Sequence, residues 1–296
     1  MAVKDARRRM TDPAPGIRRT AEAVAAAAQL ACVLEASADK PGNITPRHDF
    51  ADTSYEDMLR SAIALGPEVG RAGGRGVGET VLAAVRATRR VAGSNTNLGI
   101  ALLLAPLARA ALLDGLLRER VEEVLAALTL DDAHAAYTAI REAGAGGLDE
   151  PVEHDVRAAP TLALREAMAA AAGRDTVASE YTTGFAVTFD IGRAALRRGL
   201  DDGLGPRPAT VEAFLVLLAA VPDTLIARKR GAATAERVSA GAAAALDAGG
   251  VRTEEGRAAL ASFDASLRTD GHALNPGTTA DLVTAALFVA LLEGAL

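Results

Sequence analysis

Tryptophan is missing from this 296-residue chain, which holds only three tyrosines, six phenylalanines and one cysteine. So few aromatics leave little for unpaired bases to stack on. A formal net charge of −6 with a pI near 5.4 also removes the basic face that a nucleic-acid partner needs. One cysteine excludes an intrachain disulfide framework and fits a reducing compartment, the cytoplasm. Cys32 stands in the apolar run Ala31-Cys32-Val33-Leu34, the place of a core residue rather than a nucleophile. No stretch reaches about 18 uninterrupted strongly apolar residues, so no membrane span is expected. Arg18-Arg19 before the Ala-rich stretch to Leu34, with Ala36-Ser37-Ala38 after it, imitate a secretory leader. The run is weakly hydrophobic and contains Gln29, which favours an amphipathic first helix.

Strand-forming residues are sparse outside Val and Thr, whereas alanine, the best helix former, is the commonest residue. The expectation is an all-α fold, a single globular domain of ten or more helices over residues 18–296, after a disordered N-terminal segment over 1–17. A chain of this length buries about three quarters of its unfolded surface, enough for one large core. Periodicity and caps predict helices near 18–35, from Tyr55, and near 79–91, 98–113, 118–128, 131–143, 161–172, 175–198, 210–220, 223–229, 234–248, 253–267 and 279–296. Ser54 and Asp57 have capping-box spacing, as do Thr278 and Asp281. Pro106 should bend its helix.

Five polar segments punctuate these helices. They are Lys40-Pro41-Gly42-Asn43, Ser94-Asn95-Thr96-Asn97-Leu98-Gly99, Ala145-Gly146-Gly147-Leu148, Pro222-Asp223-Thr224 with Lys229-Arg230-Gly231, and Leu274 to Asp281. A helix N-terminus offers unpaired N–H groups and partial positive charge, so such loops suit phosphates, and several together suggest a nucleotide enzyme. Gly73 to Gly78 imitates a phosphate loop but follows no predicted strand and lacks the Lys-Ser/Thr ending. Each remaining segment has two readings. Lys40 is either a phosphate cation or a solvated loop lysine. Asp49 and Asp52 beside His48 either hold Mg²⁺ or move a proton, or they cap the next helix. Asn95, Thr96 and Asn97 either cap a helix or touch a ligand. Asp223 and the cations Arg228, Lys229 and Arg230 mark the two ends of a short helix, either gripping a metal-bound polyphosphate or complementing the helix dipole.

Taken in order, these segments resemble the triphosphoribosyl-dephospho-CoA synthase family from about residue 20 to 296. The resemblance rests on Lys40-Pro41-Gly42-Asn43, Ser54-Tyr55-Glu56-Asp57 with Arg60-Ser61-Ala62, Asn95-Thr96-Asn97-Leu98-Gly99, Asp223-Thr224, and Asn275-Pro276-Gly277 with Ala280-Asp281-Leu282. Typical bacterial members have His-Lys where this chain has Asn97-Leu98, and Arg-Gly-Glu-Ala where it has Gly146-Gly147-Leu148-Asp149, as in a divergent archaeal-type branch.

The resemblance implies an all-helical transferase joining ATP to 3′-dephospho-CoA with release of adenine, giving the precursor of an acyl-carrier prosthetic group. The ribose 2′-hydroxyl of the acceptor would attack C1′ of the ATP ribose through an oxocarbenium-like transition state. That chemistry needs a base, a polarised leaving adenine and cations on the triphosphate. Asp223 and Asp281 are then expected to hold Mg²⁺ or act as base, with Asp52 a further catalytic carboxylate. Asn43, Asn95, Thr96, Asn97 and Asn275 would position the nucleotide, and Lys40, Lys229 and Arg230 would neutralise its triphosphate. Transfer to another acceptor, such as a pterin-cofactor precursor, and a non-catalytic nucleotide-binding protein are the competing readings. Neither nucleic acid nor membrane is an expected partner, and a homodimer is the expected assembly.

Overall fold

A computed structural model describes residues 19–144 and 156–296. Among them there are fourteen α-helices and no strand, only an isolated bridge between Thr45 and His48. The helices are α1 (Ala21–Ser37), α2 (Tyr55–Gly70), α3 (Val77–Arg89), α4 (Leu98–Ala111), α5 (Leu117–Ala126), α6 (Leu130–Ala143) and α7 (Leu164–Ala171). After them come α8 (Thr176–Thr183), α9 (Ala194–Asp201), α10 (Pro206–Ala220), α11 (Thr224–Arg230), α12 (Ala232–Asp247), α13 (Glu254–Leu267) and α14 (Gly277–Leu292). The expected segment over 1–17, the Ala145 to Leu148 loop and Asp149 lie outside the described residues.

Two helices are apolar on every side, and a helix of that kind belongs inside a protein. In α14, thirteen positions from Thr278 to Leu292 are buried. In α4, every residue from Ile100 to Ala108 is buried. They pack on each other, and α1, α10 and the π-helical turn Val187–Arg193 also lean on α14, while α3 and α5 lean on α4. Alanines at the crossings, among them Ala28, Ala105, Ala108, Ala213 and Ala285, are fully or almost fully buried. Small side chains there let the helix axes approach, which is the physical use of the alanine-rich composition. No single described helix is long and apolar enough to cross a membrane.

The capping box at Ser54 forms, with Asp57 N–H donating to Ser54 Oγ at 3.1 Å and Ser54 N–H to Asp57 Oδ2 at 3.1 Å. Cys32 is buried, and burial pushes its thiol pKa up, so it is a core residue. Helix α10 begins at Pro206, four residues before the expected Thr210, because Pro206 and Pro208 have their φ preset for a first turn. Helix α4 runs unbroken through Pro106.

The single helix expected over 175–198 is instead three pieces. Helix α8 stops where Gly184 and Phe185 adopt left-handed φ values of 64° and 60°, and a π-helical turn at Val187–Arg193 leads into α9. Side-chain chemistry makes the break tolerable. Glu180, fully buried, accepts from the N–H groups of Val187 and Thr188 at 2.9 Å each, and Phe185 is itself fully buried. The Glu180→Ala variant orphans both donors and should cost about 2–5 kcal/mol. Urea unfolding would show a lower midpoint at unchanged slope, and an unchanged midpoint would remove Glu180 from this role.

Candidate functional site

The first turns of α4, α8 and α14 open onto one cleft of about 960 Å³. Its wall includes Leu98, Gly99 and Ile100 of α4, Val177 and Ala178 of α8, and Gly277, Thr278, Ala280 and Asp281 of α14. Arg228 and Lys229 at the end of α11 add positive charge, and Glu35 and Asp175 add negative charge. Tyr137, Ile140, Ala167, Met168 and Ala171 give the lining an apolar part. Of the sequence-predicted site residues, Asn43, Asp52, Asn95, Thr96, Lys229, Asn275 and Asp281 line the cleft; Lys40, Asn97, Asp223 and Arg230 do not.

Asp223 is a structural clamp, which corrects its expected role as metal ligand or base. Its side chain is 1% exposed. Oδ1 accepts from Leu225 N–H at 2.9 Å and Ile226 N–H at 3.0 Å, capping α11. Oδ2 accepts from the N–H and the hydroxyl of Thr279 at 2.8 and 2.9 Å, capping α14. Burial pushes its pKa up, and those donors pull the other way. With both oxygens doubly engaged, no lone pair faces the cleft. The chain turns by 55° between α10 and α11 just before it, so one carboxylate fixes the junction of α10, α11 and α14.

The capping box expected between Thr278 and Asp281 is absent because Asp223 has taken over the cap of α14. Asp281 is thereby released from capping, and among the described residues it accepts no hydrogen bond. It lines the cleft half-buried, with Oδ2 only 2.0 Å from where a Cβ on Gly99 would stand. Only glycine lets the α4 N-terminus come this close to the carboxylate. Burial, then Glu35, Asp223 and Asp175, push the Asp281 carboxyl well above the usual carboxylate range, with Arg228 opposing them.

Lys40 is not a phosphate cation. Its side chain is enclosed, with Nζ 3.0 Å from Glu35 Oε1 and also donating to the carbonyls of Glu35 and Ala38. It holds Glu35 at the cleft wall from behind. The Pro41-Gly42-Asn43 turn that follows is an anchor. Gly42 takes φ +72°, its N–H donates to Asp264 Oδ1 at 2.8 Å, and Arg268, paired with Asp264, donates to the carbonyl of Asn43 at 2.8 Å. Arg230 points away to an ion pair with Asp270. Asp49 accepts from Tyr55 N–H at 2.8 Å and is a cap, whereas Asp52 stays exposed at the cleft mouth.

The asparagine loop divides its work. Asn95 Oδ1 accepts from Leu98 N–H at 3.2 Å, so it caps α4 while lining the cleft. Thr96 donates to Ser61 Oγ at 2.7 Å. Asn97 is 2% exposed, and neither polar atom of its side chain has a hydrogen-bond partner among the described residues. The buried Oδ1 of Asn275 is likewise without one. Lys229 has its pKa lowered, first by burial and against the attraction of Asp223 and Asp52.

Sequence reasoning missed Glu35, Asp175, Phe50 and His272 as site residues. Asp175 reads only as a helix start, and it is one, accepting from Val177 N–H at 2.9 Å; its other oxygen meets Arg228 at 2.5 Å. Glu35 carries no local signal, since it sits inside α1. Among the described residues no three His, Cys, Asp or Glu side chains gather to hold a metal by themselves. Magnesium is usually held by one or two carboxylates plus substrate phosphates, and Asp281, with its free oxygens, fits that mode where Asp223 does not.

A carboxyl raised in the folded state keeps a proton that the unfolded chain has lost. Stability therefore falls as pH rises from about 4 through the elevated pKa. In EDTA, Asp281→Asn should melt a few degrees above the wild type at pH 8 and level with it at pH 4. Equal melting temperatures at both pH values would show that the surroundings do not oppose the charge on Asp281.

The sequence profile of the ATP:dephospho-CoA triphosphoribosyl transferase family matches residues 21–296. A relative from Pseudomonas fluorescens strain Pf-5, provisionally named 2-(5''-triphosphoribosyl)-3'-dephosphocoenzyme-A synthase, is 29% identical over 173 residues, 57% of this chain and 55% of the relative. The Klebsiella pneumoniae synthase of that name is 35% identical over 94 residues, 31% of this chain and 32% of its own. The chain thus spans about half the length of the first relative and a third of the second. A crystal structure from Archaeoglobus fulgidus, provisionally named triphosphoribosyl-dephospho-CoA synthase, superposes with a TM-score of 0.61 at 30% identity, covering 80% of this chain and 99% of that one. With a profile match running from the first helix to the last residue, this chain belongs to the ATP:dephospho-CoA triphosphoribosyl transferase family.

Proposed function

We propose that the protein transfers the triphosphoribosyl group of ATP to the 2′-hydroxyl of 3′-dephospho-CoA and releases adenine. The observation that carries this reading is the cleft itself. Asp281, which accepts no hydrogen bond among the described residues, shares the cleft with three helix first turns, the cations Arg228 and Lys229 and a set of apolar side chains. A volume of about 960 Å³ is at the upper end of ordinary ligand pockets, as two nucleotide substrates require. The first turns and Arg228 and Lys229 suit the triphosphate. The apolar wall of Tyr137, Ile140, Met168 and Ala171 suits the pantetheine arm of the acceptor.

Asp281 is the group for the reacting centre. Its raised pKa makes it a stronger base than an ordinary carboxylate for the proton of the attacking hydroxyl, and it is the carboxylate in the cleft with no hydrogen bond to give up among the described residues. Glu35, backed by Lys40, stands near enough to raise the Asp281 pKa and keeps the acidic side of the site in place. Magnesium, carried in with the triphosphate and held by Asp281, would supply charge neutralisation. In that case Asp281 would give its oxygens to the ion, and Asp52 at the mouth would be the remaining carboxylate for the proton.

The protein incubated with ATP, Mg²⁺ and 3′-dephospho-CoA should yield free adenine and the coupled product together by mass spectrometry. Adenine without the adduct would move the assignment to another acceptor, and neither product with ATP bound would remove the activity. Asp281→Asn should lower kcat at least about tenfold, roughly 1.4 kcal/mol of barrier. Gly99→Ala, whose methyl would displace the Asp281 carboxylate, should lower kcat more than it changes KM for ATP. Unchanged turnover in both variants would exclude Asp281 from the reaction.

A further inference from the structure

Aromatic side chains are scarce here, and most are spent on the core. Tyr181, Phe185, Phe214 and Phe288 are fully buried, and Phe189 nearly so. Phe50 is not. It stacks on His272, with ring centroids 4.8 Å apart and planes 21° from parallel. Both rings are partly exposed and both line the cleft. They come from distant loops, one between α1 and α2 and the other between α13 and α14.

The pair is held in register from both sides. Asp264 receives the N–H of Gly42, and Arg268 grips the carbonyl of Asn43, which ties the first loop to the end of α13. The backbone of Phe50 is pinned by its N–H donating to the carbonyl of Thr53 at 2.9 Å, and the carbonyl of His272 accepts from Asn275 N–H at 3.2 Å. In a stacked pair the inner faces cover each other, so an outer face is what remains for a further flat group, and both residues line the cleft. Arg228, Lys229 and the first turn of α14 line the same cleft, and together they provide what a nucleotide uses, a plate for its base and positive charge for its phosphates.

We propose that the Phe50–His272 pair is a purine platform, a stacking subsite for an adenine ring bound in this cleft. The inference rests on the functional reading above for the identity of the base. Adenine is carried by both substrates of that reaction, so the platform serves either the donor or the acceptor.

Calorimetric titration of the full chain separates the cases. ATP, 3′-dephospho-CoA and tripolyphosphate are titrated one at a time into wild type, Phe50→Ala, His272→Ala and the ring-retaining variants Phe50→Tyr and His272→Phe. Each alanine variant should bind one of the two adenine compounds about tenfold more weakly, the usual reach of a lost base–aromatic contact. Binding of tripolyphosphate should stay the same, and the ring-retaining variants should keep most of the affinity. Whichever adenine compound is weakened identifies the occupant. Unchanged affinity for both in the alanine variants overturns the platform while leaving the functional reading intact. Equal loss for tripolyphosphate also overturns it, by showing the pair to be only a staple between loops. If wild type binds neither adenine compound, both the platform and the functional reading fall. Should an alanine variant not fold, the ring-retaining variants decide, because loss of adenine binding in Phe50→Tyr and His272→Phe contradicts a role that needs only a ring.

Discussion

Four hydrogen bonds to the buried carboxylate of Asp223 hold the architecture of the site together. A helix begins with N–H groups that have no partner inside it, and burying them uncapped is costly. One aspartate solves this for α11 and α14 at once. Thr279 in the first turn of α14 is buried, so its N–H must find its partner inside the protein, and Asp223 supplies it. Fixing that terminus also fixes Asp281, one turn along.

The consequence for chemistry is a division of labour between two aspartates. Asp223 is saturated by donors and faces the protein; Asp281 has no donor among the described residues and faces the cleft. The environment of Asp281 then does the rest, since neighbouring carboxylates and burial disfavour its charge. Perturbed groups of this kind gather where proton transfer or metal binding takes place. The same logic separates the cations. Lys40 is consumed by Glu35 and Arg230 by Asp270 away from the cleft, whereas Arg228, paired with Asp175, and Lys229 line it.

Much of the fold was legible along the chain. Abundant alanine, scarce aromatics and the caps at Ser54 and Asp175 are local signals, and local signals determine helices. The sequence pattern over 175–198 reads as one helix, whereas the break depends on the carboxylate of Glu180 folding back to the turn at Val187 and Thr188, which no residue propensity announces. The Lys-Pro-Gly-Asn turn stands out in the sequence, but the enclosure of Lys40 and the anchoring of the turn do not. Gly42 is needed for a left-handed turn against Leu267 and Pro276, contacts more than two hundred residues away in sequence.

The sequence by itself determined the helical class, the family resemblance and the short stretches from which the cleft is built, because caps, turns and periodicity act over a few residues. Only the tertiary structure decided which polar residue in each stretch works and which supports. Asp223 and Asp281 look alike in sequence, as do Lys40 and Lys229. What separates them is the partners that distant helices bring to each, since the availability of a carboxylate or an ammonium depends on how many donors, acceptors and like charges surround it in space.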